Sequence, residues 1–213
     1  MARIDLYAVR LDDPFDPAPL SAAERARAAR FVFDLHRRRF AAGRTALRRI
    51  LARHLGVPAE TVAFVDQAHG KPAVAGLEFN LSHSDELALV AISDGPPVGV
   101  DVERLRPVDG ALTVAETFFA PSERAELLAA PPAERALAFL RGWTRKEAFI
   151  KALGEGMSHP LTRFEVSLGA AARLLAIDGS AAEAARWSLV ALDPAPGYVG
   201  ALAAPAPVET VWR

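Results

Sequence analysis

The stretch from Trp143 to Gly154 places a carboxylate where an apolar side chain is expected. Its apolar residues recur at the spacing of one helical face: Leu140, Trp143, Ile150 and Leu153. Glycine commonly follows the last residue of a helix, so Gly154 predicts the helix end. Glu147 lies four residues after Trp143, on or beside this apolar face. Because a buried carboxylate is costly unless it is paired with a cation or binds a metal, Glu147 requires a partner.

A second acidic stretch, Val98-Gly-Val-Asp-Val-Glu103, has the alternation of a strand. Side chains alternate across a strand, so its valines face one side and Asp101 and Glu103 face the other. The two carboxylates then lie about 7 Å apart along the strand. That spacing allows them to share one hard cation. Taken alone, the stretch is more typical of the solvent-facing side of an amphipathic strand.

Two kinds of partner for Glu147 remain open. The first is Lys151, one turn further along the helix, or a core arginine, either of which would form a structural ion pair. The second is a cation shared with Asp101 and Glu103. Three carboxylates without a neighbouring histidine or cysteine suit Mg²⁺, which prefers oxygen ligands and retains waters or substrate phosphates. Lys146 and Lys151 would then neutralise phosphate oxygens.

Lysine is rare in this chain. Lys71, Lys146 and Lys151 are the only lysines among 25 basic residues, and two of them flank Glu147. Arginine-rich codon usage combined with chance is an alternative explanation. The pattern is nevertheless compatible with three positions that need a compact point charge with a shiftable pKa, which arginine does not provide.

Composition excludes several classes of protein. The formal charge of −1 provides no global field that favours nucleic acid. The absence of cysteine excludes disulfides and thiolate metal sites. No apolar run is long enough to span a bilayer, and the first residues lack the pattern of a signal peptide. We therefore expect a cytoplasmic protein that binds neither nucleic acid nor membrane.

The order of predicted elements indicates an α+β fold built from two similar halves. Each half contains a strand, then helices, then antiparallel strands, although no sequence repeat has a fixed period. We place the first half at residues 1–97 and the second at residues 98–213. The hairpin of the first half is predicted to turn at Ser82-His-Ser-Asp85.

Other motifs give weaker indications. Gly70-Lys71-Pro72 lacks the pattern of a P-loop and is either a rigid anion-binding turn or an ordinary surface turn. His83, in Asn80-Leu-Ser-His-Ser84, is more typical of a hydrogen-bonding role than of a catalytic base, and no serine-hydrolase motif surrounds Ser82. A helix containing Arg44, Arg48 and Arg49 is either solvated or part of a pocket for a phosphorylated small molecule.

Four of these motifs occur in one order: Gly70-Lys-Pro72, Phe79-Asn-Leu-Ser-His-Ser84, Gly99-Val-Asp-Val-Glu103 and Trp143-Thr-Arg-Lys-Glu-Ala-Phe-Ile-Lys151. Together they resemble the 4′-phosphopantetheinyl transferases of the type that activates surfactin synthetase. The resemblance covers about residues 20–165. It implies a pseudo-dimeric monomer with coenzyme A bound in the cleft between the halves.

The resemblance also assigns roles to individual residues. It implies Mg²⁺ ligands at Asp101, Glu103 and Glu147, and a lysine on the reacting phosphate at Lys151. The adenosine, its 3′-phosphate and the pyrophosphate would be held by a larger set: Arg44, Gly70, Lys71, Pro72, Ser82, His83 and Lys146. Arg25 and Arg27 are weaker matches, because Glu24 stands where relatives carry a cation.

The implied reaction needs no nucleophile in this chain. A serine of an apo acyl- or peptidyl-carrier protein attacks the β-phosphate of coenzyme A, and Glu147, directly or through a water, takes the proton. A patch of arginines would face the acidic carrier, and Phe118-Phe119 would be either a docking surface or core. Two alternatives use the same residues: a Mg²⁺-dependent nucleotide phosphohydrolase, and an inactive coenzyme A or carrier-binding module.

Overall fold

A computed structural model describes residues 1–66, 72–154 and 159–213 of the chain. The helices are α1 (Ala22–Ala29), α2 (Asp34–Leu55), α3 (Ala111–Phe118), α4 (Pro121–Ala129), α5 (Arg135–Leu153) and α6 (Ala181–Ala184). The strands are β1 (Ala2–Arg10), β2 (Val65–Asp66), β3 (Pro72–Ala73), β4 (Glu78–Ser84), β5 (Leu87–Ser93), β6 (Gly99–Arg104), β7 (Phe164–Val166), β8 (Leu174–Ile177), β9 (Trp187–Leu192), β10 (Tyr198–Pro205) and β11 (Val208–Trp212). Among the helices of these residues, none is both long and apolar enough to cross a membrane.

The first half is a sheet covered on one face by a long helix. Strands β1, β5 and β4 pair antiparallel, and α2 packs its apolar side, including Leu47 and Leu51, against Val90 and Ile92 of β5. The helix ends at Leu55, where Gly56 adopts a left-handed conformation with φ 67°. Gly56, followed by Pro58, predicts this helix end from the sequence, and the structure confirms it.

The second half repeats this arrangement. Strands β6, β10 and β9 form an antiparallel sheet, and α5 packs Ala148 and Phe149 against Ala201 and Ala203 of β10. Gly154, with φ 76°, ends the helix as predicted.

The two sheets enclose a shared core. Alternate residues of each sheet point inward, including Ile4 and Leu89 from the first and Val100 and Leu202 from the second. The layers therefore run helix, sheet, sheet, helix, and the predicted α+β fold of two similar halves is confirmed.

The last strand returns to the first half. Strand β11 pairs with β1 in parallel, from Ala2 opposite Val208 to Leu6 opposite Trp212. The sequence analysis assigned all residues after 97 to the second half. In the structure, the C-terminal strand belongs to the sheet of the first.

Two predicted boundaries are wrong. The capping box at Ser21-Ala-Ala-Glu24 predicts a helix that continues to about Phe33. In the structure α1 ends at Ala29, and Phe33 is in extended conformation before α2. The predicted turn at Ser82-His-Ser-Asp85 is instead the end of strand β4, which continues to Ser84. The tight turn follows at Asp85, which has φ 49°, a conformation that aspartate tolerates better than most residues.

Candidate active site

Strand β6 directs two of the predicted carboxylates towards helix α5. Its valines enter the core between the sheets, so Gly99, Asp101 and Glu103 face the opposite way. Asp101 is buried and Glu103 is half-buried. The alternation predicted from the sequence is confirmed.

Gly99 allows the helix to lie directly on the strand. A Cβ placed on Gly99 would lie 2.0 Å from the carbonyl oxygen of Ala148 and 2.4 Å from the nitrogen of Ala152. No side chain other than hydrogen fits there, so the two backbones can approach this closely only at glycine. This contact fixes the distance between the β6 carboxylates and the residues of α5.

Lys151 of α5 reaches across this contact. Its Nζ lies 2.6 Å from Oδ1 of Asp101 and 3.3 Å from Oγ of Ser82. Ser82 donates a hydrogen bond of 2.6 Å to the same carboxylate oxygen. Because Ser82 belongs to β4, Lys151 lies at the boundary between the two halves.

Two further carboxylates beside this pair have raised pKa values. Burial raises the pKa of Glu147, Lys151 opposes that rise, and the charges of Asp101 and Glu103 add to it. Burial also raises the pKa of Glu103, against a 2.7 Å hydrogen bond from Ser84, and the charge of Asp101 raises it further. These three carboxylates repel one another, so additional positive charge among them would be stabilising.

The donor set suits a divalent cation that prefers oxygen. Oδ2 of Asp101 is buried and has no hydrogen-bond partner among the described residues, which leaves a carboxylate oxygen able to coordinate an ion. Within residues 1–66, 72–154 and 159–213, however, no three acidic, histidine or cysteine side chains converge closely enough to hold a metal ion. The residues therefore fit Mg²⁺ in chemistry, and binding would require their side chains to rotate.

Strand β4 joins the two halves through its polar side chains. Oδ1 of Asn80 accepts a 2.8 Å hydrogen bond from the N–H of Val100, and Oγ of Ser84 accepts one of 3.1 Å from the N–H of Arg104. Strands β4 and β6 lie at the edges of different sheets, so these side chains satisfy backbone groups that no strand pairs with. His83 points to the other side of β4 and is exposed.

The first half contains a cavity of about 500 Å³ lined by arginines and aromatic rings. The guanidinium of Arg44 lies over the ring of Phe64, 3.7 Å from its centroid. Arg44 and Arg48 donate to the two oxygens of Glu24 at 2.5 and 2.7 Å. Aromatic faces and guanidinium groups are the side chains that stack on a nucleotide base and bind phosphate.

Glu24 is an anion in this wall. Burial would raise its pKa, but hydrogen bonds from Arg48, from the N–H of Ser21 and from Arg44 outweigh burial and lower the pKa of Glu24 to about 2. Arg27 also lines the cavity and lies over the ring of Phe40, 5.1 Å from its centroid. Arg25 instead donates to the carbonyl oxygens of residues 18 and 20.

The turn containing the third lysine is only partly described. Pro72 is half-buried and begins β3. Gly70 and Lys71 lie outside the described residues, so their predicted roles remain predictions.

The structure corrects the predicted role of Lys146. The sequence analysis placed it beside Lys151 on the phosphates, but its side chain is 0% exposed and lies 2.8 Å from Oε2 of Glu123. It also donates to the carbonyl oxygens of Leu161 and Phe164. A lysine enclosed in this way does not reach a ligand in the cleft, so Lys146 is removed from the candidate site.

The sequence analysis did not identify Glu24 and Glu123 as structural anchors. Each is the third residue of a helix, accepts a hydrogen bond from the backbone at the helix start, and pairs with a cation of the long helix that follows. The capping-box pattern was a signal for Glu24. For Glu123, the only signal was its position in the first turn of α4.

An apolar groove of about 490 Å³ opens beside Glu103. Trp143, Phe118 and Leu140 line it, together with Arg104 and Arg106. Phe119, by contrast, is buried and stacks on Phe139 with a centroid distance of 5.5 Å. Of the two phenylalanines singled out in the sequence, one is core and the other faces the groove.

Comparison with known proteins identifies the class. Residues 97–203 match the 4′-phosphopantetheinyl transferase superfamily model, and residues 17–94 match the model of the 4′-phosphopantetheinyl transferase N-terminal region. The chain is 39% identical to 4′-phosphopantetheinyl transferase HetI of Nostoc sp. over 211 residues, 94% of this chain and 86% of the relative. It is 31% identical to 4′-phosphopantetheinyl transferase Sfp of Bacillus subtilis strain 168 over 173 residues, 76% of each chain.

Both halves of the chain therefore match models of one class of transferase. The chain belongs to the 4′-phosphopantetheinyl transferase superfamily, and within it to the type that activates surfactin synthetase.

Proposed function

We propose that this enzyme transfers the 4′-phosphopantetheine arm of coenzyme A to a serine of an apo acyl- or peptidyl-carrier protein. Adenosine 3′,5′-bisphosphate is released, and Mg²⁺ is required. The observation that carries the proposal is the pairing of Lys151 with Asp101 at the boundary of the halves, with Glu103 and Glu147 next to them. Because one chain supplies both halves, we propose that the monomer is the active form.

The adenosine end of coenzyme A is assigned to the cavity at Arg44. Stacked arginine and phenylalanine side chains there are suited to a base and to the 3′-phosphate. Arg27 makes no ion pair with any described residue and is available to an anion. Ser82, His83 and the Gly70-Lys71-Pro72 turn would contact the rest of the nucleotide, as the family resemblance suggests.

The pyrophosphate is assigned to the space between β6 and α5. Asp101, Glu103 and Glu147 would hold Mg²⁺, which when bound neutralises charge on phosphate oxygens. Lys151 then exchanges its carboxylate partner for the phosphate under attack and stabilises the charge that develops there. Ser82 retains its hydrogen bond to Asp101 and keeps that carboxylate oriented.

The reaction forms one bond and breaks one. The carrier serine Oγ bonds to the β-phosphorus of coenzyme A, and the bond from this phosphorus to the bridging oxygen breaks, leaving its electron pair on adenosine 3′,5′-bisphosphate. The serine proton passes to Glu147. Glu147 takes it directly or through a water, because a carboxylate within reach of the attacking hydroxyl can act as a general base.

The carrier protein is assigned to the groove beside Glu103. Trp143 and Phe118 offer apolar surface there, and Arg106 offers positive charge to an acidic helical carrier. Arg104 lies at the same groove but already pairs with Asp85 and Glu86. Since Glu103 lines both the groove and the carboxylate cluster, a carrier bound in the groove would have its serine close to the pyrophosphate.

The release of nucleotide tests the proposal. The enzyme is incubated with coenzyme A and Mg²⁺, with and without an apo carrier protein, and adenosine 3′,5′-bisphosphate is quantified by chromatography. We expect release only with the carrier present. Equal release without carrier would favour the phosphohydrolase, and no release with several competent carriers would favour an inactive binding module.

A further inference from the structure

The side of α5 that faces away from β6 carries an unusual buried lysine. Lys146 lies about 160° around the helix from Ala148, the residue that rests on Gly99. Its ammonium has three acceptors: Oε2 of Glu123 at 2.8 Å and the carbonyl oxygens of Leu161 and Phe164, also at 2.8 Å. Every donor of this ammonium is therefore used within the protein.

The partner carboxylate is equally well bound. Glu123 is 1% exposed and accepts hydrogen bonds from the N–H groups of Ala120 at 2.6 Å and Val166 at 2.7 Å. The ion pair thus links α5 to the start of α4, to β7 and to the turn at Leu161–Arg163. These are the segments that pack on α5 opposite the active site.

A contribution to stability does not by itself account for a buried ion pair of this kind. Apolar side chains of similar volume are often as stable as a buried ion pair, or more stable. The pair does, however, make five directional bonds: the ion pair itself, two from Lys146 to carbonyl oxygens and two from backbone N–H groups to Glu123. These bonds hold the helix at one rotation about its axis, whereas apolar packing specifies that rotation less strictly. Glu147, the next residue, and Lys151, one turn later, both change direction if the helix rotates.

We propose that the Glu123–Lys146 pair is a positioning unit that fixes the rotation of α5, so that Glu147 and Lys151 face Asp101 on β6. Gly99 sets the distance between helix and strand on one side, and the ion pair sets the rotation from the other. Lys146 acts through Glu147 and Lys151 and does not touch coenzyme A. This inference rests on the proposed function, because the directions of Glu147 and Lys151 matter for catalysis only in that reaction.

The test compares kcat with KM in Lys146→Met. A positioning residue lowers kcat by about tenfold or more, because small displacements of reacting groups are costly. Measured at saturating Mg²⁺, KM for coenzyme A stays within about twofold, because Lys146 itself makes no contact with the ligand. A tenfold rise in KM with kcat retained would instead show that Lys146 binds phosphate, and would overturn the proposal.

Two further variants separate positioning from loss of folding. The double variant Glu123→Gln with Lys146→Met removes both charges and leaves no unpaired buried ion, and we expect it to fold and to be slow. The matched control is Arg145→Met. Arg145 is 1% exposed on the same helix, but its hydrogen bonds go to Ser167, Gly169 and Ala170, so we expect lower thermal stability with unchanged kcat. Full kcat in the folded double variant would overturn the proposal.

A measurement that does not depend on transfer completes the test. Mn²⁺ affinity of the substrate-free enzyme is titrated by electron paramagnetic resonance. We expect weaker binding in Lys146→Met and in the double variant, and unchanged binding in Arg145→Met. If the wild type transferred nothing to any carrier, the proposed function would fail, and equal Mn²⁺ affinity in all variants would then also reject the positioning role.

Discussion

At the scale of single residues, the site is defined by three carboxylates and one lysine. Lys151 pairs with Asp101, while Glu103 and Glu147 remain close to each other and to Asp101 with raised pKa values. The cluster carries more negative charge than its lysine compensates. An additional cation placed among these carboxylates would therefore be favoured electrostatically.

Replacing Glu147 by glutamine tests its role directly. The substitution keeps the shape of the side chain and removes one of the repelling charges, so the folded structure is expected to be at least as stable as the wild type. Transfer is expected to fall about 10²–10⁴-fold, the usual contribution of a general base. Steady-state kinetics at limiting Mg²⁺ provide the measurement, and near-normal turnover would remove Glu147 from the site.

Glu24 provides a stability prediction with a defined pH range. Because its pKa is lowered from 4.5 to about 2 in the folded protein, its ion pairs stabilise the fold above pH 4.5 and that contribution is lost as pH falls towards 2. In Glu24→Gln, we expect a free energy of unfolding lower by about 1–3 kcal/mol at neutral pH. The difference from the wild type should shrink between pH 4.5 and pH 2.

Urea unfolding at several pH values measures this difference. The exposed Glu60 at the same cavity is the control, and Glu60→Gln should change the free energy of unfolding little at any pH. A constant deficit in Glu24→Gln across the whole range would mean that packing, and not charge, is responsible.

Residue patterns predicted part of this site. Strand alternation was sufficient to place Asp101 and Glu103 on one face, because a strand has only two faces. Helical spacing distinguishes the two lysines of α5. Phe149 and Ile150 follow Lys146 by three and four residues, and these apolar neighbours on the same face indicate that Lys146 points into the core. In the structure both are buried. Its carboxylate partner, 23 residues earlier in the chain, could not be found from spacing.

At the scale of elements, the contact between α5 and β6 brings the site together. Gly99→Ala would place a methyl group 2.0 Å from the carbonyl oxygen of Ala148, so the helix must move away from the strand. We expect a destabilisation of about 1–3 kcal/mol from overpacking and a loss of kcat because Lys151 no longer meets Asp101.

Thermal unfolding and steady-state kinetics check this prediction against Gly95→Ala. A Cβ on Gly95 meets no atom within 4 Å, so that variant should resemble the wild type. If Gly99→Ala retained full kcat, the close approach of helix and strand would not be needed for catalysis.

The two halves share one ion-pair arrangement, although the sequence contains no corresponding repeat. In each, a glutamate in the first turn of a short helix pairs with a cation on the following long helix: Glu24 with Arg48, and Glu123 with Lys146. In the first half, Glu24 also binds Arg44 at the cavity wall. In the second half, both members of the ion pair are fully buried. The order of elements predicted the two similar halves, but only the structure reveals this equivalence.

At the scale of the whole molecule, the core between the sheets belongs to both halves. Ile4, Leu89, Val100 and Leu202 pack together within it, and β11 attaches the end of the chain to the first sheet. Sequence patterns cannot predict this crossover, because the pairing of a strand depends on partners at any distance along the chain.

A shared core predicts one cooperative unfolding transition. In a Trp212→Phe variant, which lacks the one tryptophan of β11, Trp143 and Trp187 report on the second half, whereas far-UV circular dichroism reports on both halves. We expect the two signals to give the same midpoint in urea, as in two-state unfolding. Separate midpoints would mean that the halves unfold independently.

We propose that the carboxylates and the lysine at the boundary of the halves support transfer of a phosphopantetheine arm to a carrier serine. The most direct measurement is the intact mass of an apo carrier protein after incubation with the enzyme, coenzyme A and Mg²⁺. We expect a gain of one phosphopantetheine arm per carrier. This gain should be lost with Asp101→Ala, with a chelator, or when the acceptor serine is replaced by alanine. An unchanged mass for carriers from fatty-acid, polyketide and nonribosomal-peptide systems would contradict it.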